Sequence, residues 1–391
     1  MKSNNASRFC PICSCENKTF IYRQNFNNKE ISLVENYDVV VCVNCGFVYA
    51  DNIPSQSDFS DYYASLSKYE FNYNNGVVSK DHLNHFTKIV NFLAPYLTDP
   101  KLKILDIGCS TGGLLSLLNK SGYTNLFGID PSEVCVETTK RLYNIKAFSC
   151  DILNFDSKEK FDLIILSAVL EHLVDLDNSL RKIRSLLNDQ GLLFIEVPDV
   201  ERFDLFISAP FQQFSTEHIN YFSRYSITNL LSKFSFQTLE LQQNESKLNQ
   251  FIDPDIFILS KKINKIEFNL TKDNISETKI RSYINRCLER DFEIKEIIKE
   301  RLLNKDRIIV WGVGTHTQRL IGTGLNISKI LYFVDSNKRY FGKKLMGKEI
   351  KSPSEIKEDV PILISTFVFQ EEIAYLIKEI LKLKNEIIKI Y

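Results

Sequence analysis

Short apolar runs alternate with stretches of helical apolar spacing through the middle of the chain. Residues 103–107 (KILDI), 127–130 (FGID), 147–152 (AFSCDI), 161–166 (FDLIIL) and 192–197 (LLFIEV) read as strands, with helices over 134–143 and 180–187. Apolar runs separated by helices predict a parallel sheet covered on both faces. Residues 236–241 and 255–261 predict antiparallel strands closing that sheet. Residues 263–301 are charged, with Ile280, Tyr283, Ile284, Cys287 and Leu288 at helical spacing, which predicts linking helices. A smaller α/β unit follows, with strands at 307–311, 330–334, 362–365 and 387–390 and a helix over 315–321. Residues 51–76 are polar and tyrosine-rich, which predicts a loop or lid carrying Tyr62, Tyr63 and Tyr69. A helix over 80–97 comes next, and its His82 and His85 read as surface or packing residues.

The first strand of the sheet ends in an acid and a tight glycine turn, Asp106-Ile107-Gly108-Cys109-Ser110-Thr111-Gly112. The second ends in Asp130, the third in Asp151. This arrangement holds a nucleoside at the carboxyl edge of a parallel sheet. Charge separates the candidate ligands. A pyrophosphate wants G-x-G-x-x-G and free N–H groups at a helix N-terminus. Here Ser110 takes the middle glycine position and the Asp106 carboxylate precedes the turn. A carboxylate repels phosphate and suits an ammonium or sulfonium, so the ligand expected is S-adenosylmethionine. Asp130 is placed to accept from two ribose hydroxyls; such bonds are worth about 1.5–3 kcal/mol each. The run resembles class I methyltransferases. That resemblance implies that Asp151 and Ile152 meet the adenine, and that Ser167 begins the cofactor-side segment after strand four, leading into Glu171 and His172.

Composition narrows the surroundings. The chain has 391 residues, enough for more than one domain, and Lys plus Arg equals Asp plus Glu, 49 each. Zero net charge disfavours a general nucleic-acid or membrane-surface binder. The longest apolar runs are too short to span a bilayer, and the N-terminus lacks a signal-peptide pattern. A cytoplasmic location is expected. Nine cysteines include Cys10-Pro11-Ile12-Cys13 and Cys42-Val43-Asn44-Cys45-Gly46. Two such knuckles can present four thiolates tetrahedrally to Zn²⁺, with bonds of about 2.3 Å and no open position, so the zinc is read as structural. Cys15 is a spare with unfavourable spacing.

After the fifth strand comes APFQQFSTEHINYFS, residues 209–223. The two C-x-x-C pairs, Asp106 to Gly112, Glu217-His218 and Tyr221-Phe222-Ser223 together resemble the zinc-containing nucleotide-sugar C-methyltransferases of deoxysugar biosynthesis, over nearly the whole chain. The resemblance implies a zinc-binding module over 1–60, a Rossmann-like class I methyltransferase core with its lid over 61–262, linking helices over 263–305, and a smaller Rossmann-like α/β domain over 306–391. It also implies that Glu217 and His218 are catalytic and that the acceptor is a small molecule, a nucleotide-linked keto-sugar. The family segment reads Y-H-E-H, whereas this chain has Ser215 and Thr216 in the first two places. A serine is too short to stand in for a tyrosine as oxyanion donor, so Tyr221 or a lid tyrosine is expected to take that part. Imidazole titrates near neutrality, which suits His218 as general base. His172 competes for the role. O-methylation needs only one base and is the first alternative to C-methylation. An oxidoreductase using Gly312-Val313-Gly314 is the second; a lone G-x-G is a weak nucleotide signal. His316, beside that turn, can touch a diphosphate or simply pack.

Overall fold

The computed structural model describes residues 6–26, 33–66, 77–248, 251–265 and 267–391. Tyr69 lies outside the described residues. The chain opens with an antiparallel meander, β1 Lys18–Asn25, β2 Asn36–Cys42 and β3 Val48–Asp51. Then come two helices, α1 Gln56–Leu66 and α2 Lys80–Leu93. The polar, tyrosine-rich stretch expected as a loop is therefore helical over its first part. Gln56, Ser60 and Tyr62 turn inward from it to bond with Val174, Asp151 and Glu217, while Ser57 and Asp61 face solvent. Helix α2 stops short of the expected Leu97. Residues Ala94–Tyr96 tighten into a 3₁₀ turn at Pro95, which has no N–H to continue the α ladder.

The central sheet takes β4 Lys103–Ile107, β5 Asn125–Asp130, β6 Lys146–Ser149, β7 Phe161–Ser167 and β8 Leu187–Pro198, with α3 Gly113–Lys120, α4 Glu133–Tyr143 and α5 Leu176–Leu186 between strands. The segment after β8 yields a two-residue strand, β9 Asn220–Tyr221, then α6 Arg224–Lys233 and the hairpin β10 Phe236–Leu248 with β11 Phe251–Lys262. The order is β6-β5-β4-β7-β8-β11-β10, with β11 antiparallel to β8. Strand order reverses between β4 and β7, and a doubly wound sheet binds ligands outside the carboxyl ends at such a point. The central sheet thus has the expected α/β, doubly wound Rossmann-like fold. Asp151 stands beyond β6 rather than ending it, because the strand stops at Ser149 and the chain turns at 151–154, with Asn154 N–H donating to Asp151 Oδ1 at 2.9 Å.

Strand β9 does not join the central sheet. It pairs antiparallel with β3, Val48 opposite Tyr221 and Tyr49 opposite Asn220, as the fourth strand of the N-terminal sheet. The N-terminal segment therefore has no separate core. Val39, Val41, Val48 and Phe59 bury against Phe203, Phe214, Ile219 and Tyr221, while Cys10, Ile12 and Phe47 pack into the cluster that holds Leu166, Leu170 and Ile195.

A single helix, α7 Ser276–Arg301, replaces the expected set of linking helices. It leads to a six-stranded sheet of β12 Ile308–Trp311, β13 Ile330–Val334, β14 Lys344–Leu345, β15 Lys348–Lys351, β16 Ile362–Ile364 and β17 Ile387–Lys389, flanked by α8 Thr315–Thr323 and α9 Gln370–Tyr375. The short pair β14–β15 carries too little apolar patterning to be visible in the sequence. No helix is long and apolar enough to cross a membrane among the described residues.

Helix α7 also fixes the segment that precedes Glu217. The N–H of Phe211 donates to Cys287 Sγ at 3.1 Å and the N–H of Gln213 to the Tyr283 hydroxyl at 3.0 Å, all buried. Tyr283→Phe leaves the Gln213 N–H unpaired, and the expected cost is about 1–3 kcal/mol. Urea unfolding of the two proteins measures it. Equal stability would show that another group satisfies that N–H.

Candidate active site

Strand β4 is apolar on both faces and delivers Asp106 to the sheet edge, 3% exposed, beside a cavity of about 270 Å³. Gly108 follows at φ +74, in the left-handed region, and a Cβ there would lie 2.6 Å from Val169 Cγ2. Glycine is required on both counts. Ser110 also takes positive φ, at +48, and its N–H donates to Asp130 Oδ2 at 2.9 Å. The N–H of Ser132 donates to Asp130 Oδ1 at 2.9 Å. Asp130 is thus held by a backbone donor on each oxygen at the cavity wall. Ser110 Oγ is buried, with no hydrogen-bond partner among the described residues. Gly112, at φ +79, caps the start of α3.

Asp151 and Ile152 line a narrower recess of about 60 Å³ with Ile129, Leu153, Val169 and Gln56. Its apolar walls and single carboxylate suit a flat heterocycle. Helix α1 closes over it. Gln56 Oε1 accepts from the N–H groups of Val174 and Asp175 at 3.0 and 3.2 Å, and Ser60 donates to Asp151 Oδ2 at 3.1 Å. Ser167 lines the first cavity with Asp106 and Asp130 rather than this recess, and donates to Glu196 Oε2.

A second cavity, of about 520 Å³, adjoins the first; His82, His85, Ala168, His172 and Glu196 line both. His218 lies on this second cavity, half-buried, its ring centroid 4.9 Å from that of His172. Three ties hold it there. The Ile219 N–H donates to the Glu171 carbonyl at 3.0 Å, the Ala50 N–H to the Ile219 carbonyl at 2.9 Å, and Ser215 Oγ accepts from the N–H groups of Glu217 and His218 at 3.2 and 3.1 Å. Ser215 is therefore a turn-capping residue. His172 is 8% exposed, and its Nδ1 lies 3.0 Å from both the Glu217 carbonyl and the Tyr63 hydroxyl, so that nitrogen is engaged in holding the segment.

The structure sets Tyr221 apart from these cavities. It is 2% exposed, and its hydroxyl donates to that of Tyr37 at 3.0 Å, which donates onward to the Ser215 carbonyl at 2.9 Å. The tyrosine beside Glu217 is Tyr62 of α1, donating to Glu217 Oε1 at 3.1 Å. Burial, then the Glu217 charge, pushes the Tyr62 phenol up, so it remains a neutral donor.

His82 and His85, read from sequence as surface or packing residues, line both cavities, and His85 Nε2 contacts Glu196 Oε1 at 2.7 Å. The acids Glu196, Asp253 and Asp255 were not marked by any motif. Only their recurrence in and after strand-like runs pointed to the sheet edge. Phe369 and Glu372 of the C-terminal sheet region also reach the second cavity. The Gly312 turn lines neither cavity, and its Val313 N–H donates to Asp335 at 3.1 Å; His316 and Arg319, which follow it, line a separate recess with Thr315 and Phe367. Burial lowers the His316 imidazole to about 4, with Tyr391 as its partner.

Cys10, Cys13, Cys42 and Cys45 converge at the N-terminal sheet, their sulfurs all within 4.8 Å of one another. The Cys10–Cys45 and Cys13–Cys42 sulfurs stand 3.4 and 3.5 Å apart. A tetrahedral ion with bonds of about 2.3 Å needs sulfurs about 3.8 Å apart, so a slight expansion admits one. Cys15 turns to the Asn17 carbonyl instead.

Residues 81–241 match the family model of a methyltransferase domain, and residues 304–388 match a model described as C2185-like, N-terminal. Curated relatives include a ubiquinone biosynthesis O-methyltransferase of Bartonella bacilliformis, 34% identical over 109 residues, covering 26% of this chain and 42% of the relative. A trans-aconitate 2-methyltransferase of Escherichia coli is 33% identical over 98 residues, covering 25% and 39%. The chain thus spans less than half the length of these relatives. Among solved structures, magnesium protoporphyrin IX methyltransferase from Synechocystis PCC 6803 with bound SAH aligns at TM-score 0.41 and 17% identity, over 53% of this chain and 99% of that one.

Asp106 gives a pH test. Burial, reinforced by the charge of Asp130, holds its carboxyl well above the usual 3.8. The unfolded chain gives up this proton first, so stability falls as pH rises from about 4 toward the raised value. A cation entering the cleft favours the carboxylate. S-Adenosylmethionine binding is therefore expected to release a proton, with affinity rising up to about tenfold per pH unit below the raised value. Calorimetry in buffers of different ionisation enthalpy reads the release, and Asp106→Asn should abolish it. A buffer-independent enthalpy in the unsubstituted protein would refute it.

Proposed function

We propose that this chain, which carries a class I methyltransferase domain, transfers a methyl group from S-adenosylmethionine to a nucleotide-linked keto-sugar, with His218 as general base. The observation that carries this reading is the position of His218. It stands half-buried on a cavity that opens directly onto the Asp106 cleft, held by backbone bonds on either side. The Asp106, Asp130 and Asp151 series fits a ligand with a cationic end, a ribose and an adenine, and the orphaned Ser110 hydroxyl supplies one further donor.

The cofactor supplies the electrophilic methyl group. His218 takes the proton from the carbon next to the acceptor ketone, and the resulting carbanion attacks that methyl. The developing oxyanion needs a donor, and the donor proposed is Tyr62, whose phenol proton, given to Glu217 Oε1 at 3.1 Å, must turn to the acceptor oxygen. Glu217 accepts from Tyr62 and holds the phenol next to the His218 segment until the acceptor oxygen takes over that hydrogen bond. Helix α1 excludes water from the cleft and ties the adenine recess to Glu217 through Ser60 and Tyr62. Alignment of nucleophile and methyl can itself supply about 7–11 kcal/mol. The resemblance to sugar-modifying enzymes and the presence of Phe369 and Glu372 on the acceptor cavity support a large, two-part acceptor. O-methyl transfer is the second reading, favoured by one observation: Ser215 is spent on capping the turn, so the oxyanion donor of the sugar C-methyltransferases has no counterpart at its own position. The four cysteines are proposed to hold a structural Zn²⁺ with no open coordination position.

His218→Ala is expected to leave S-adenosylmethionine affinity nearly intact and to reduce kcat at least 10²-fold, roughly the usual contribution of a general base. Turnover is read as S-adenosylhomocysteine formed with a panel of nucleotide-linked keto-sugars. Tyr62→Phe should lower kcat far more for C-methylation than for O-methylation. Unchanged turnover in His218→Ala would remove this residue from the mechanism.

A further inference from the structure

Strands β8 and β11 pair with Pro198 opposite Asp255 and Glu196 opposite Phe257. That register puts Glu196 and Asp255 diagonally on one face of the sheet, near the junction of the two cavities. His85 comes down on them from α2, its ring 6.0 Å from that of Phe257. One donor atom from each of His85, Glu196 and Asp255 lies within 4.8 Å of the others.

The three are not equally satisfied. Glu196 is 5% exposed and holds His85 at 2.7 Å and the Ser167 hydroxyl. Asp255 is 4% exposed, and neither of its oxygens has a hydrogen-bond partner among the described residues. The nearby Ser246 hydroxyl donates to the Asp253 carbonyl instead. A second carboxylate left this way in a buried position, on the wall of a cavity, calls for a cation.

We propose that His85 Nε2, Glu196 and Asp255 bind one divalent transition-metal cation, with its remaining coordination positions facing the acceptor cavity. Bonds of about 2.0–2.2 Å at right angles put neighbouring donors about 3 Å apart. The contact now bridged by a proton between His85 and Glu196 needs to open only slightly; that proton and the one carried by the Asp255 carboxyl leave to solvent as the ion enters. Asp255 swings in to complete a nitrogen-and-two-oxygen face. Ser167, donating to Glu196, orients that ligand from behind. A mixed imidazole and carboxylate set suits Mn²⁺ or Fe²⁺, whereas the four thiolates at the N-terminal sheet suit a softer ion. The two metal sites thus differ in chemistry. An ion here meets an acceptor oxygen and neutralises charge that develops on it.

The full chain, with its cysteine site loaded with zinc, is titrated with Mn²⁺ and the free ion is followed by electron paramagnetic resonance. One Mn²⁺ is expected per chain. Asp255→Asn and His85→Gln should each weaken binding at least about tenfold without changing zinc content. Removing a nitrogen ligand from α2 and an oxygen ligand from β11 independently guards against one variant failing to fold. No saturable Mn²⁺ binding by the unsubstituted chain, or equal binding by both folded variants, would overturn the site. The measurement needs neither methyl donor nor acceptor, so its failure is distinct from failure of the methyl-transfer reading.

Discussion

Two residues of β-pairing decide where the candidate base stands. Asn220 and Tyr221 complete the N-terminal sheet, far in sequence from β3, and so bring His218 to the rim of the acceptor cavity. The joint is reinforced on both sides. Asn220 Nδ2 donates to the Leu173 carbonyl at 2.8 Å, and Arg8 donates from Nη1 to the Ala50 and Ile219 carbonyls and from Nη2 to Asn220 Oδ1. The guanidinium is buried, and burial lowers it to about 10. It remains charged, and its donors bind the Ala50 carbonyl and add a second bond to the Ile219 carbonyl, which already accepts from the Ala50 N–H. The cysteine knuckle continues the same strands. Gly46, at φ +79, lets the Cys42–Cys45 turn close against the Asp273 backbone, where a Cβ would come within 2.0 Å of the carbonyl oxygen. A metal held by these cysteines would therefore act on the acceptor site mechanically, through β3.

From this joint the two halves of the site follow. The cofactor side is local: a strand, a turn and two acids set by β4 and β5, with the N–H groups of Gly108, Cys109, Ser110 and Gly112 all paired. The proposed acceptor side is assembled from distant pieces, α2, β8, β10, β11 and the His218 segment, and is rich in carboxylates and imidazoles. Burial and the neighbouring Glu196 charge push Asp255 up to about 8, and burial pushes Asp253 up to about 7. Such groups respond to whatever charge an acceptor brings. Helix α1 bridges the halves, which couples filling of the adenine recess to the placement of Tyr62.

What the sequence disclosed follows the same division. Asp106, Gly108, Ser110 and Asp130 were legible because strand, turn and acid are neighbours in the chain and their spacing is their geometry. That the central sheet is parallel and closed by an antiparallel pair was legible from alternating apolar runs; its strand order was not. The β3–β9 pair was not, since a two-residue strand has no period to read and its partner lies far away in sequence. For the same reason Tyr221, which matches a motif, turns inward to Tyr37, while Tyr62 occupies the position beside Glu217. Ser215 shows the limit of substitution arguments: its hydroxyl replaces no phenol but caps a turn. His85 lacked any signal, because its meaning comes from Glu196 across the sheet.

The most direct test of this account is amide hydrogen exchange over residues 215–223, compared between the metal-loaded chain and Cys42→Ser. If the N-terminal sheet positions the catalytic segment, the amides of Ile219 and Tyr221 are protected in the intact protein and exchange rapidly once the knuckle is broken, while the Asp106 turn stays protected. Unchanged protection at Ile219 and Tyr221 in a variant shown to have lost its metal would contradict it.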